Sequence, residues 1–108
     1  MLTEADAFRR DGFITVTLFG RSPTPCDEVV VLGYYPANEF GPARVFLREG
    51  RKPGMENMFC IQTLGKIWSI NRIIPDQYSP IVEIYINDQL VREIRVIEFT
   101  ELGFHNLH

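Results

Sequence analysis

The chain has 108 residues, a length that suits one domain able to bury its own core without metals or disulfides. Hydrophobic residues make up 45% of it, which excludes general disorder. The net charge of −3 argues against non-specific binding to nucleic acid or to anionic membranes. No apolar run approaches the ~18 residues of a transmembrane helix, and no secretory signal is visible. We therefore expect a single domain over 1–108 in the cytoplasm, with Cys26 and Cys60 as free thiols.

The N-terminal segment carries the signals of a helix start. Thr3 suits an N-cap, and the acidic residues that follow it favour the positive end of a helix dipole. These features predict a short helix that reaches about Arg10 and ends at Asp11-Gly12. A loosely held tail is the alternative interpretation.

The rest of the chain alternates apolar and polar residues with the period of two that is typical of half-buried strands. In the first of these segments, Ile14, Val16 and Leu18 share one face. Loops that contain proline or glycine separate the segments. The pattern predicts about seven strands: Phe13–Phe19, Glu28–Tyr35, Ala43–Glu49, the two arms of Met58–Ile74, Ile81–Ile86 and Leu90–Phe99.

The stretch Met58–Ile74 is interpreted as a β-hairpin whose turn is Gly65-Lys66. Glycine at the first turn position supplies the positive φ that a type II′ turn requires. The resulting register assigns five residues to a core face: Phe59, Ile61, Thr63, Trp68 and Ile70. The opposite face carries an uncharged polar strip of Cys60, Gln62, Ser69 and Asn71.

Two further patterns bear on the architecture. Glu28–Tyr35 is apolar on both faces, which predicts a strand that lies in the middle of a sheet or is covered on both sides, with a bulge or bend at Gly33. In the last hairpin, an odd-numbered loop sets Val82 opposite Ile94 and keeps one face mostly apolar. Together these patterns predict an all-β fold: an antiparallel β-sandwich or small barrel with a short N-terminal helix.

The polar strip is the first candidate for a ligand site. Cys60, Gln62, Ser69 and Asn71 could line a pocket with Trp68 nearby. A cysteine nucleophile at Cys60 would need a base such as His105 in the C-terminal tail. The plain alternative is an ordinary strip that faces solvent, and this is the interpretation we prefer.

The second candidate is an interface formed by the last two strands. Four of its residues fall on the nominally outer face and must be covered by another segment or another chain: Tyr85, Val91, Ile97 and Phe99.

A basic group near aromatic residues is a further candidate, for a nucleic-acid site. The net negative charge of the chain and the lack of an RNA-binding signature argue against this function. That group comprises Arg44, Arg48, Arg51, Lys52 and Arg72.

No catalytic, metal-binding or cofactor-binding motif is present in the sequence, and no metal or cofactor is predicted. The leading hypothesis is a non-enzymatic protein-interaction module that acts as a homodimer or within an assembly. Two alternatives are kept: a β-barrel or sandwich that binds a small ligand, and an enzyme that depends on Cys60.

Overall fold

The computed structural model describes residues 1–61 and 66–99, and seven strands form one nearly closed, barrel-like sheet. The strands are β1 (Leu2–Arg10), β2 (Phe13–Arg21), β3 (Asp27–Tyr35), β4 (Ala43–Arg51), β5 (Ile67–Pro75), β6 (Ile81–Ile86) and β7 (Gln89–Glu98). Their order across the sheet is β3-β4-β6-β7-β1-β2-β5. The β4–β6 and β1–β7 pairs are parallel, and the other neighbours are antiparallel. The all-β prediction is confirmed.

The predicted N-terminal helix is wrong, because Leu2–Arg10 is strand β1. Asp11 and Gly12 have φ angles of 54° and 82°, as a type I′ turn requires, and they join β1 to β2 in a tight hairpin. The Thr3 hydroxyl donates to the Phe19 carbonyl of β2 at 3.0 Å and caps no helix. An Asp-Gly turn is a strong hairpin signal, and it outweighed the local helix propensity of the preceding residues.

The predicted Met58–Ile74 hairpin is also wrong in its first arm. Residues 58–61 form no strand, and Phe59, which was assigned to the core, is 92% exposed. The paired neighbour of β5 is β2, with Ile70 opposite Leu18. The second arm is as predicted, since Trp68 and Ile70 pack against the core. The turn at Gly65 lies outside the described residues.

The prediction of two free thiols is wrong, because Cys26 and Cys60 form a disulfide with 6.3 Å between their Cα atoms. Cys26 immediately precedes β3, and Cys60 lies in the segment that leads to β5. The bond therefore ties together the approaches to the two strands at the ends of the sheet order. At the same end, the Ser22 N–H donates to the Lys66 carbonyl at 2.8 Å.

Strand β3 lies at an end of the sheet order, so its predicted central position is wrong. Tyr35 is half exposed, and the apolar residues of this strand are covered on one side only. The expected irregularity at Gly33 is present as a register shift between Val31 and Gly33. In the last hairpin, Val82 lies opposite Ile94 as predicted. The predicted odd-numbered loop is wrong, because Asn87 and Asp88 form a two-residue turn, and a bulge between Ile84 and Tyr85 brings Val82 and Ile94 into the predicted pairing.

The core is formed by inward-facing side chains from all of the strands, because residues two apart share a face. Its most completely buried large members are Ile14, Val16, Leu18, Val45, Leu47, Ile74, Val82 and Ile84. The alternation in β2 and β4 was correctly predicted, and it leaves Phe13, Thr15 and Phe19 on the outer face of β2. Among the described residues, no helix is long and apolar enough to cross a membrane.

Candidate functional site

One buried carboxylate, Asp76, joins three loops at the end of the barrel where β1, β3 and β5 finish. Its Oδ2 accepts the Ala37 N–H at 2.6 Å, which fixes the β3–β4 loop. Its Oδ1 accepts the Tyr78 and Ser79 N–H groups at 2.9 and 2.7 Å, which shapes the β5–β6 loop. Its own N–H donates to the Gly12 carbonyl in the β1–β2 turn at 2.9 Å.

The partner of this carboxylate is Arg9, whose side chain is buried at the end of β1. The guanidinium lies 3.6 Å from the Asp76 carboxylate and donates to the Asp76 carbonyl at 2.9 Å. It also donates to the Ser79 carbonyl at 2.5 Å and pairs with Glu98 at the end of β7. A buried guanidinium needs such partners to offset the loss of hydration.

Burial alone would raise the pKa of Asp76, because the charged form loses hydration. The three backbone N–H groups and the Arg9 guanidinium outweigh this effect, so the pKa of Asp76 lies below its ordinary value. The carboxylate therefore stays ionised near neutral pH. With its lone pairs occupied by these donors, it acts as a structural clamp for the loops.

The loops held by Asp76 enclose an open groove of about 430 Å³. Its walls come from residues 11–13 in the β1–β2 hairpin, residues 36–37 after β3, and residues 75–78 after β5. Phe13 and Tyr78 supply aromatic surface and are 50% and 86% exposed. Asp11 adds an exposed carboxylate, and the described residues that line the groove include no Lys, Arg or His.

Next to the groove, the outer face of the sheet carries the Phe13 patch, made of Phe8, Phe13, Ile73, Pro75, Ile97 and Phe99. Strand register makes it continuous: Ile97 pairs with Phe8, Phe8 with Thr15, and Thr15 with Ile73. In the next row, Phe13 pairs with Pro75. The Arg10 guanidinium lies 4.5 Å from the centre of the Phe99 ring and completes that row.

The predicted ligand residues that the structure describes are distributed over the two faces of β5 and the disulfide. Ser69 and Asn71 are exposed on the outer face of β5, as expected for an open strip. Trp68 points to the opposite side, where a Cβ on Gly20 would overlap its indole ring. Cys60 is held in the disulfide, which leaves no thiol for the proposed cysteine nucleophile. Gln62 and His105 lie outside the described residues.

The four predicted interface residues separate into two groups. Ile97 and Phe99 belong to the Phe13 patch. Tyr85 instead stacks on Phe46, with 4.9 Å between ring centroids, and Val91 lies on the exposed face near the β6–β7 turn. Burial, followed by the 3.1 Å hydrogen bond to Glu83, raises the pKa of Tyr85. These residues were also interpreted as part of an edge strand that could pair with another chain. That interpretation is wrong, because β7 is paired with β6 on one side and β1 on the other.

The basic group considered for nucleic acid is largely matched by acidic neighbours. Arg48 lies 3.3 Å from Glu28, and Arg51 lies 3.7 Å from Asp27. Arg44 donates to the Asn38 side chain at 2.8 Å. Acidic partners are thus shown for two members of the group, Arg48 and Arg51.

The Asp76 clamp was missed in the sequence, although one local signal pointed to it. Aspartate after Pro75, with Ser79 three residues further on, is a typical Asx-turn pattern. The buried partner Arg9 had no such signal, because its contacts lie at least 67 residues away along the chain.

No family model matches the chain, and neither a curated protein nor a solved structure matches it significantly.

Proposed function

We propose that this chain is a non-enzymatic protein-interaction module that self-associates through the Phe13 patch. The observation that supports the proposal is a group of exposed and half-buried apolar side chains that lie side by side on four neighbouring strands. Large connected apolar patches are uncommon on monomer surfaces and are typical of interaction sites. Aromatic residues such as Phe13 and Phe99 are enriched at the centres of such interfaces.

A second copy of the chain is the partner that the charge distribution favours. Each copy carries a net charge of −3, so two copies repel unless their contact surfaces avoid acidic groups. The six residues of the Phe13 patch are all apolar, and beside them lies the oppositely charged pair of Arg10, over the Phe99 ring, and Asp11, so this surface adds no net negative charge to the contact. A two-fold arrangement would bury the same patch on both copies.

The proposal is tested by comparing Ile73→Asp with Ile67→Asp. The two isoleucines share strand β5 and its outer face, and they are 58% and 64% exposed, but Ile67 pairs with Arg21 outside the patch. Burial of one isoleucine contributes about 1.5 kcal/mol or more, and a two-fold interface contains two copies. We expect Ile73→Asp to weaken the dimer by roughly a hundredfold or more, and Ile67→Asp to leave it intact.

Sedimentation velocity at micromolar concentration measures this directly. A wild-type dimer that Ile73→Asp converts to a monomer supports the proposal. A wild-type chain that stays monomeric, or a dimer that responds equally to both substitutions, contradicts it.

A small-ligand-binding role is the second candidate, and the groove at the barrel end favours it. Its volume of about 430 Å³ lies within the usual range for ligand sites. This site differs from the one expected around Trp68, whose ring packs over Gly20. Chemical-shift mapping with a fragment library would test it, with shifts confined to residues 11–13 and 75–78 as the expected result.

The disulfide provides information about the cellular compartment of this protein. A cytoplasmic location was expected because no secretory signal was visible, and free thiols were expected because that compartment is reducing. The Cys26–Cys60 bond favours an oxidising compartment, since disulfides of this kind persist there.

A further inference from the structure

We propose that the groove at the barrel end binds an extended, proline-containing peptide segment that carries an arginine. The inference rests on the proposed function, because it names the chemistry of a partner for an interaction module. The groove shares Phe13 and Pro75 with the Phe13 patch but does not include Ile73, so Ile73→Asp tests self-association without removing a groove residue.

The walls of the groove present apolar rings to a ligand. Phe13 and Tyr78 present aromatic rings, and Pro36 and Pro75 present flat apolar rings beside them. Polyproline II segments dock in aromatic-lined grooves because they are already extended and lose little conformational entropy on binding. The side chain of Tyr78 is 86% exposed, so its ring is available to such a segment.

Hydrogen bonds to Asp76 hold the loops that form the groove walls. The Tyr78 N–H is held by the Asp76 carboxylate at 2.9 Å, and the Ala37 N–H on the opposite wall is held at 2.6 Å. The Asp76 N–H donates to the Gly12 carbonyl, which connects the β5–β6 loop to the β1–β2 turn. A preformed groove avoids the ordering cost that a flexible loop would incur on binding.

An exposed carboxylate at the rim of the groove favours a ligand with a basic side chain. Asp76 is neutralised by Arg9, which leaves Asp11 as the carboxylate exposed at the rim. Asp11 lies 3.6 Å from Arg10, but both side chains are largely exposed, so this pair is weak and open to exchange. An incoming arginine can bind the Asp11 carboxylate and stack on a neighbouring aromatic ring.

The test uses a synthetic peptide of consecutive PxxP repeats that ends in two arginines, titrated into the full chain by calorimetry. Two protein variants probe the two parts of the site, Tyr78→Ala for the ring and Asp11→Asn for the charge. Asparagine tolerates the positive φ of 54° at position 11, so the turn is preserved. Phe59→Ala is the matched control, since Phe59 is equally exposed but lies outside the groove.

We expect Tyr78→Ala to weaken binding about thirtyfold, as is typical for removal of an aromatic anchor. Asp11→Asn should weaken binding roughly two- to fivefold and reduce its dependence on salt. Phe59→Ala should leave peptide binding unchanged, and Ile73→Asp should not weaken it, because Ile73 lies outside the groove and loss of the dimer would uncover Phe13 and Pro75. A peptide with its prolines replaced by alanine should bind more weakly, because it must lose more conformational entropy.

Three results would overturn the inference: no heat of binding at millimolar peptide, an equal response to Tyr78→Ala and Phe59→Ala, or equal binding of a peptide with glutamates in place of arginines. Amide chemical shifts recorded on the same samples report whether each variant keeps its fold. If wild-type chain is monomeric yet binds the peptide through Tyr78, the proposed self-association fails while the groove assignment stands.

Discussion

Loss of the Cys26–Cys60 disulfide has an effect that can be worked out from its position in the chain. The two cysteines are 34 residues apart, and the bond ties the approaches to the first and last strands of the sheet order. In the chain-entropy model, closing a loop of this length stabilises the folded state by about 4 kcal/mol near room temperature. The free energy of unfolding of a domain of this size is roughly 5–15 kcal/mol. The reduced protein should therefore be much less stable but still able to fold.

The measurement compares oxidised and reduced wild-type chain in urea, followed by the fluorescence of Trp68, the single tryptophan. A loss of about 4 kcal/mol corresponds to a fall in Tm of roughly 15–30 °C. The Cys26→Ala/Cys60→Ala variant serves as the control, since it should resemble the reduced protein and be insensitive to reductant. Oxidised and reduced chains that unfold within about 1 kcal/mol of each other would refute the reasoning.

Three further outcomes are expected from the described contacts. Asp76→Ala should destabilise the fold by about 3–5 kcal/mol in urea, because it removes the acceptor of three backbone N–H groups and one of the two carboxylates beside the buried Arg9 guanidinium. Asp11→Asn, at an exposed position where asparagine tolerates the positive φ, should cost under about 1 kcal/mol. The pKa of Asp76 is lowered in the folded state, so its contribution is present above the unfolded value of about 4 and is lost as pH falls through the folded value. Wild-type stability should therefore fall more steeply below about pH 4 than that of Asp76→Asn, and parallel curves would contradict the assignment. Gly20→Ala should cost about 1–3 kcal/mol, because a Cβ there would overlap the Trp68 ring and lie 2.5 Å from the Met1 carbonyl, whereas Gly50→Ala, with 3.8 Å to its nearest neighbour, should be far milder.

The functional candidates were only partly visible in the sequence. Ile97 and Phe99 were recognised as outer-face residues of β7 that require cover, and both lie in the Phe13 patch. Phe13 and Ile73 completed that patch only when β2 was paired with β5. The groove could not be foreseen, because its walls come from three loops that one carboxylate holds together.

What the sequence determined by itself is the periodicity of the strands. Alternation placed Ile14, Val16 and Leu18 in the core, and the pairing of Val82 with Ile94 followed from keeping one face apolar. What only the tertiary structure decided is which strands meet and what closes the ends. Residues 2–10 became a strand because β2 and β7 supplied partners on both sides, which overrode local helix signals. Residues 58–61 form no strand, although their alternation predicted one, and the disulfide holds Cys60 beside the start of β3.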